Sequence, residues 1–112
     1  MKVAVSLKES KKDAQLDSHF GRCPYFCLVE IDNNKIGAIE FMENLASKQA
    51  GSAGVLAAKG IVEKGAESVI TGELGPKAAE VLNQFKIPVY TSSGSLPDVL
   101  AAFIAGKLKR IQ

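Results

Sequence analysis

Apolar and β-branched residues alternate through "KVAVSL" (Lys2–Leu7), a period of two that predicts a first strand. From Lys8 to Pro24 the period disappears and polar residues dominate, with Lys8, Lys11, Lys12 and Asp13 close together. A loop this long in so short a chain is expected to be functional or mobile. "YFCLVEID" (Tyr25–Asp32) and "KIGAIEFME" (Lys35–Glu43) read as two strands, joined at Asn33–Asn34, a pair that tolerates the positive φ of a tight hairpin. The small, polar stretch "NLASKQAGSAG" leads into "VLAAKGIVEKG", where Val55, Ala58, Ile61 and Val62 recur at helical spacing and Gly65 offers a C-terminal stop. "ESVIT" (Glu67–Thr71) is a short buried strand, followed by a turn and a helix in "GELGPKAAEVLNQF". Pro76 lies in the first turn of that helix, which is expected to bury Ala78, Val81, Leu82 and Phe85. "IPVYT" reads as the last strand and "SSGSLPDVLAAFIAG" as the last helix, with Ser95 and Asp98 as a capping box and Val99, Leu100 and Phe103 facing inward.

The order β-loop-β-β-α-β-α-β-α predicts an α/β fold: a mixed five-stranded sheet with flanking helices. Helical crossovers make Lys2–Leu7, Glu67–Thr71 and Ile87–Tyr90 parallel, and the hairpin makes Tyr25–Asp32 the one antiparallel strand. The loops Lys8–Pro24, Glu43–Gly51, Gly72–Gly75 and Thr91–Ser95 then emerge at one edge of the sheet, and three of them feed helix N-termini. Ligands of open α/β sheets bind beyond the carboxyl ends of the strands, and helix N-termini favour anions.

Composition narrows the function. At 112 residues the chain is read as a single domain, 1–112, with 46% apolar and 23% charged residues. A formal charge of +2, scattered along the chain, does not make a nucleic-acid surface, and no apolar run is long enough to cross a bilayer. The N-terminus lacks the longer apolar region of a signal peptide, so a cytoplasmic location is expected, with Cys23 and Cys27 as free thiols or ligands. Their C-x-x-x-C spacing matches neither a redox pair nor a zinc knuckle.

The reactive chemistry is crowded into "SHFGRCPYF" (Ser18–Phe26). His19, the only histidine, is a candidate metal ligand or acid–base group; the alternative is a loop histidine with a local hydrogen bond. Arg22 is a candidate clamp for a carboxylate or phosphate, or else a solvated surface arginine. Cys23 is a candidate soft ligand, or a small turn residue before Pro24. Phe20 and Phe26 are read as anchors of the loop in the core, and Cys27, inside a strand, as an inert buried thiol. Gly72, Gly75 and Pro76 resemble an anion loop without the order of a P-loop, and a tight strand-to-helix turn explains them equally well. No Ser-His-Asp set is evident, and Glu30, Asp32 and Glu40 form no two-metal cluster, so the chain is not read as an enzyme.

In order and spacing, "HFGRCPYF", "GSAGVLAAKGIVEKGAESVI", "TGELGPKAAEVLNQFKIPVY" and "GSLPDVLAAFIAGKL" resemble the dinitrogenase iron–molybdenum cofactor biosynthesis family. That family comprises NifX-like and NafY-like proteins and the C-terminal domain of NifB, and the resemblance spans essentially the whole chain. It implies a ribonuclease H-like motif with strand order 3-2-1-4-5. It also implies a non-catalytic role: holding an anionic iron–sulfur precursor or an iron–molybdenum-type cofactor as cargo, and passing it to other cofactor-assembly proteins or an apo-target. In some members a histidine holds the cofactor, and His19 is the candidate here. The chain departs from the family pattern at Leu45, where proline often follows the asparagine, and at Lys86, where many members have glycine. Small stand-alone members also occur in organisms without nitrogenase, so the resemblance does not name the client.

The expected site therefore joins Phe20, Gly21, Arg22, Gly72, Gly75 and Pro76 as cofactor-binding residues with His19 and Cys23 as metal ligands. Neither nucleic acid nor membrane is an expected partner. The alternative function is a binding module for a small anionic metabolite or nucleotide without metal.

Overall fold

Asn33 and Asn34 both adopt positive φ (52° and 62°), so the chain reverses in two residues and pairs Asp32 with Lys35, as the sequence predicts. The hairpin belongs to a computed structural model that describes residues 1–48 and 51–112; Gln49 and Ala50, within the predicted Glu43–Gly51 loop, lie outside the described residues. The strands are β1 (Lys2–Leu7), β2 (Tyr25–Asp32), β3 (Lys35–Glu43), β4 (Ser68–Thr71), β5 (Val89–Thr91) and β6 (Lys109–Arg110). The helices are α1 (Ala53–Glu63), α2 (Pro76–Gln84) and α3 (Leu96–Ile104), with a 3-10 turn at Leu45–Lys48.

The sheet order is β3-β2-β1-β4-β5-β6. β1, β4 and β5 are parallel, β2 is antiparallel to both neighbours, and β6 is antiparallel to β5. The order of the first five strands matches expectation, but the five-stranded count and the single antiparallel strand are corrected to six strands with two running backward. β6 is two residues long and basic, too short to show any period, and exists only because Arg110 and Lys109 pair with Tyr90 and Thr91.

Alternation sorts the side chains into two cores. Ala4, Phe26, Leu28 and Val69 face α1 and α2, where Ala58, Ile61 and Leu82 close over them. Val3, Val5, Leu7 and Ile70 face α3, where Leu96, Val99 and Leu100 are buried. Each such large side chain contributes about 1.5–3 kcal/mol. Gly65 takes φ of 86° just past α1, the expected stop. Phe85, expected inside, is 56% exposed because it caps α2 beyond the last turn that touches the sheet. Among the described residues no helix is long and apolar enough to cross a membrane.

The Lys8–Pro24 loop is more ordered than its aperiodic sequence suggests. Ala14 and Leu16 are buried against α3, and the amide of Leu16 donates to Gly94 O at 2.8 Å. Its longest exposed run is Lys8–Asp13, of which the Lys8 amide still donates to Gln15 O. Amide exchange is accordingly expected to be fast over Glu9–Asp13 and slow at Leu16, Asp17, Phe20 and Cys23, whose amides all donate to backbone carbonyls. Uniform rates across the loop would contradict this attachment.

Lys86 sits at φ 57°, a left-handed conformation that costs an ordinary residue about 1–2 kcal/mol. Glycine removes that strain but adds roughly 0.5–1 kcal/mol of unfolded-state entropy. Lys86→Gly should therefore stabilise the fold by about 0.5–1 kcal/mol, read as a higher urea midpoint; a lower midpoint would show that the lysine side chain contributes more than the strain costs.

Candidate functional site

The first amides of any helix have no intrahelical partner and need a cap, water or a ligand. α3 meets this need itself: Ser95 Oγ accepts the Asp98 N–H at 3.4 Å. α1, which begins after Ser52, and α2, which begins after Gly75, have no side-chain hydrogen bond at their caps. Those two helix starts meet the His19 loop around a cleft of about 420 Å³. Its walls include His19, Phe20, Gly21, Arg22, Gly54, Val55, Glu73, Gly75, Pro76 and Lys77.

Small residues permit this convergence. A Cβ on Gly21 would lie 2.6 Å from the Gly54 nitrogen, and one on Gly54 would lie 3.3 Å from the Ala78 Cβ. Loop backbone and helix start therefore touch with no side chain between them. The loop crosses the β4–α2 turn at Gly72, where a Cβ would come within 2.6 Å of Ser18 Cα. There Glu73 N–H donates to Ser18 O at 2.6 Å and Phe20 N–H donates to Glu73 O at 3.3 Å. On the inner side Asp17 N–H donates to Ser6 O (2.9 Å), and Ser6 Oγ donates to Asp17 O (2.7 Å). On the outer side buried Asn44 donates through Nδ2 to Gly21 O (3.1 Å) and Cys23 O (2.8 Å). Phe20 packs against Phe26 with centroids 5.3 Å apart and ring planes tilted by 58°, as the anchoring role requires.

His19 stands on the rim with its side chain 65% exposed, and its Nδ1 lies 3.1 Å from Ser18 Oγ and 3.5 Å from Asp17 Oδ1. Arg22 Nη1 donates to Ser47 O at 3.1 Å. With Lys77 these bring three basic side chains to the cleft among the described residues; Glu73 is a carboxylate on its wall, and Asp17 lies beside His19.

Six of the expected site residues thus share one cleft: His19, Phe20, Gly21, Arg22, Gly75 and Pro76. Gly72 is not on its wall; it is the crossing point beneath the loop. Cys23 is also placed elsewhere: it is fully buried, and its Sγ donates to Phe20 O at 3.2 Å. Burial, reinforced by the Asp17 charge, pushes this thiol up to about 12, so it is not available as a thiolate at the rim. The cleft receives two helix starts rather than the expected three, because α3 packs on the opposite face of the sheet. Among the described residues no group of three or more His, Cys, Asp or Glu side chains is placed to hold a metal ion. Gly54, Val55, Glu73 and Lys77 were not among the expected site residues; for the first two, the small-residue run "GSAGV" across the start of α1 was the available signal. A second groove of about 320 Å³, lined by Phe26, Met42, Leu45 and Leu56 among others, is mostly apolar, with Glu43 as the titratable group among the described residues that line it.

A family profile described as "Dinitrogenase iron-molybdenum cofactor" matches residues 1–106. An uncharacterized protein of Methanocaldococcus jannaschii is 34% identical over 113 residues, covering 100% of this chain and 92% of its relative. The crystal structure of PH0822 superposes with a TM-score of 0.84 at 32% identity, covering 97% of this chain and 95% of that one. The apo form of the orange protein from Desulfovibrio gigas superposes with a TM-score of 0.87 at 26% identity, covering 96% and 90%.

Burial raises both thiols, Cys23 and Cys27, from an ordinary 9.0 to about 12. As pH climbs past about 9 the unfolded chain loses these protons while the folded chain keeps them. Stability is thus complete below about pH 9 and declines between there and about 12, by up to about 1.4 kcal/mol per pH unit for each thiol. Urea unfolding at about pH 8 and about pH 10.5 should show the decline, and Cys27→Ala should make it about half as steep, leaving the Cys23 contribution. An equal slope in wild type and variant would mean that Cys27 is not held as a protonated thiol.

Proposed function

Because the chain belongs to the dinitrogenase iron–molybdenum cofactor family, we propose that it is a non-catalytic carrier of an anionic iron–sulfur or iron–molybdenum-type cofactor, or of a precursor. The cargo sits in the cleft between the His19 loop and the starts of α1 and α2. The observation that carries this reading is the convergence of two helix starts without side-chain caps beside His19, Arg22 and Lys77. Amides of Gly54, Val55, Lys77 and Ala78 donate to the cargo's anionic surface; Pro76 has none to offer. Arg22 and Lys77 offset its charge, and His19 gives one ring nitrogen to a metal. Phe20 forms a wall, and Gly21 and Gly75 allow close approach.

The donor set fits a preassembled cluster better than a bare ion. One imidazole cannot build a coordination sphere, and Cys23 could reach the cargo only if the loop opened. Each helix start contributes about 0.3–1 kcal/mol and each charge-assisted hydrogen bond about 1.5–3. Sums of that size suit exchangeable binding, near micromolar, of cargo that is handed to other cofactor-assembly proteins or an apo-target. The lack of a three-ligand group among the described residues also favours a second reading, a metal-free anionic metabolite or nucleotide held by the same amides and cations.

Anaerobic titration with isolated iron–molybdenum cofactor separates the two. His19→Ala should bind at least about tenfold more weakly, a loss of roughly 1.4 kcal/mol. The urea midpoint should not move, because the side chain is largely exposed. A variant that binds as tightly as wild type would remove His19 as a metal ligand, and a wild type that does not bind the cofactor would leave the metal-free reading.

A further inference from the structure

The carrier reading gives Asp17 no task, yet this carboxylate is more firmly placed than the histidine beside it. Asp17 is 16% exposed against 65% for His19. Its backbone is bonded to Ser6 on both sides, and Ser6 Oγ also lies 2.8 Å from Thr71 Oγ1 on the neighbouring strand. From this fixed base Asp17 Oδ1 accepts the His19 backbone N–H at 2.8 Å and lies 3.5 Å from His19 Nδ1. We infer that Asp17 is a positioning residue: it holds the imidazole with the proton on Nδ1 and leaves the Nε2 lone pair for the cargo's metal. The inference rests on the carrier reading for the identity of the cargo, but not for the state of the ring.

The reason is the acceptor-only chemistry of a carboxylate. An unprotonated Nδ1 would set its lone pair against an anion, whereas Nδ1–H meets an acceptor. Ser18 Oγ, at 3.1 Å from the same nitrogen, can donate or accept, so it adapts to the tautomer without selecting it. A ring with its neutral proton on Nε2 could not ligate through that nitrogen, and ligating histidines commonly give their other N–H to a carboxylate. An opposing effect makes the sign informative. Asp17 also adds negative charge near an anionic cargo, so if it acted by charge alone its removal would tighten binding.

Asp17→Asn keeps an oxygen acceptor for the His19 amide, but the same Oδ1 then faces Nδ1 as a neutral amide oxygen, a weaker acceptor than the carboxylate that biases the ring. Ring ¹⁵N shifts of the apoprotein, recorded about two pH units above the ordinary imidazole value, read the tautomer directly. Wild type should be predominantly Nδ1–H, and Asp17→Asn should move toward Nε2–H. Affinity for isolated iron–molybdenum cofactor should fall about tenfold in Asp17→Asn. In a His19→Ala background the same substitution should cost nothing. A wild-type ring protonated on Nε2, a tautomer unmoved by Asp17→Asn, or an equal loss in the His19→Ala background would each overturn the inference; the last would assign Asp17 to loop structure alone. If wild type does not bind the cofactor, the carrier reading falls, and the ring shifts by themselves decide for or against Asp17. Should Asp17→Asn fail to fold, the wild-type tautomer still decides.

Discussion

Close backbone contact at two glycines is the constraint on which the rest of this structure depends. Gly21 lies against the start of α1 and Gly72 lies beneath Ser18, each without room for a Cβ. These contacts draw a loop that carries histidine and arginine down onto the end of the sheet. Such an approach is tolerable only if the buried backbone groups it creates are satisfied. Ser6, Asn44, Glu73 and Gly94 supply those partners from four different parts of the chain. Among the described residues no buried side-chain nitrogen or oxygen lacks a partner.

The same contacts separate stability from recognition within a few residues. Phe20 and Cys23 point into the core under α1 and α2, while His19 and Arg22 point outward. Because the buried members are locked, the exposed ones start from a backbone that is already ordered, which lowers the entropy cost of closing on a ligand. The helices divide in a similar way. α3 caps itself and serves the hydrophobic face it covers, whereas α1 and α2 begin without side-chain caps at the mouth of the cleft. Leaving those amides to solvent costs little when they are near water, and it leaves the positive ends of both helix dipoles facing the cleft.

Asn44 ties these halves together. Its side chain bonds the carbonyls of Gly21 and Cys23 from the end of β3, so an edge strand of the sheet still controls the loop that shapes the cleft. The following residue, Leu45, is 70% exposed beside the apolar groove.

Local periodicity and turn chemistry determined the first five strands, the three helices and the Asn33–Asn34 hairpin, because each is set by interactions within a few residues. The topology then placed His19, Phe20, Gly21, Arg22, Gly75 and Pro76 together, since a parallel crossover sends those loops to one edge. What the sequence could not decide was set by contacts between distant segments. β6 has no pattern of its own and forms by pairing with β5. Cys23 and His19 look alike as loop residues, but only the packing of Phe20 on Phe26 and the bonds of Asn44 turn the thiol inward and leave the imidazole outside. Alternation in β1 and β4 makes both faces of the sheet apolar, but that α3 covers the face opposite α1 and α2, taking its start away from the cleft, is a choice of side that no local pattern encodes.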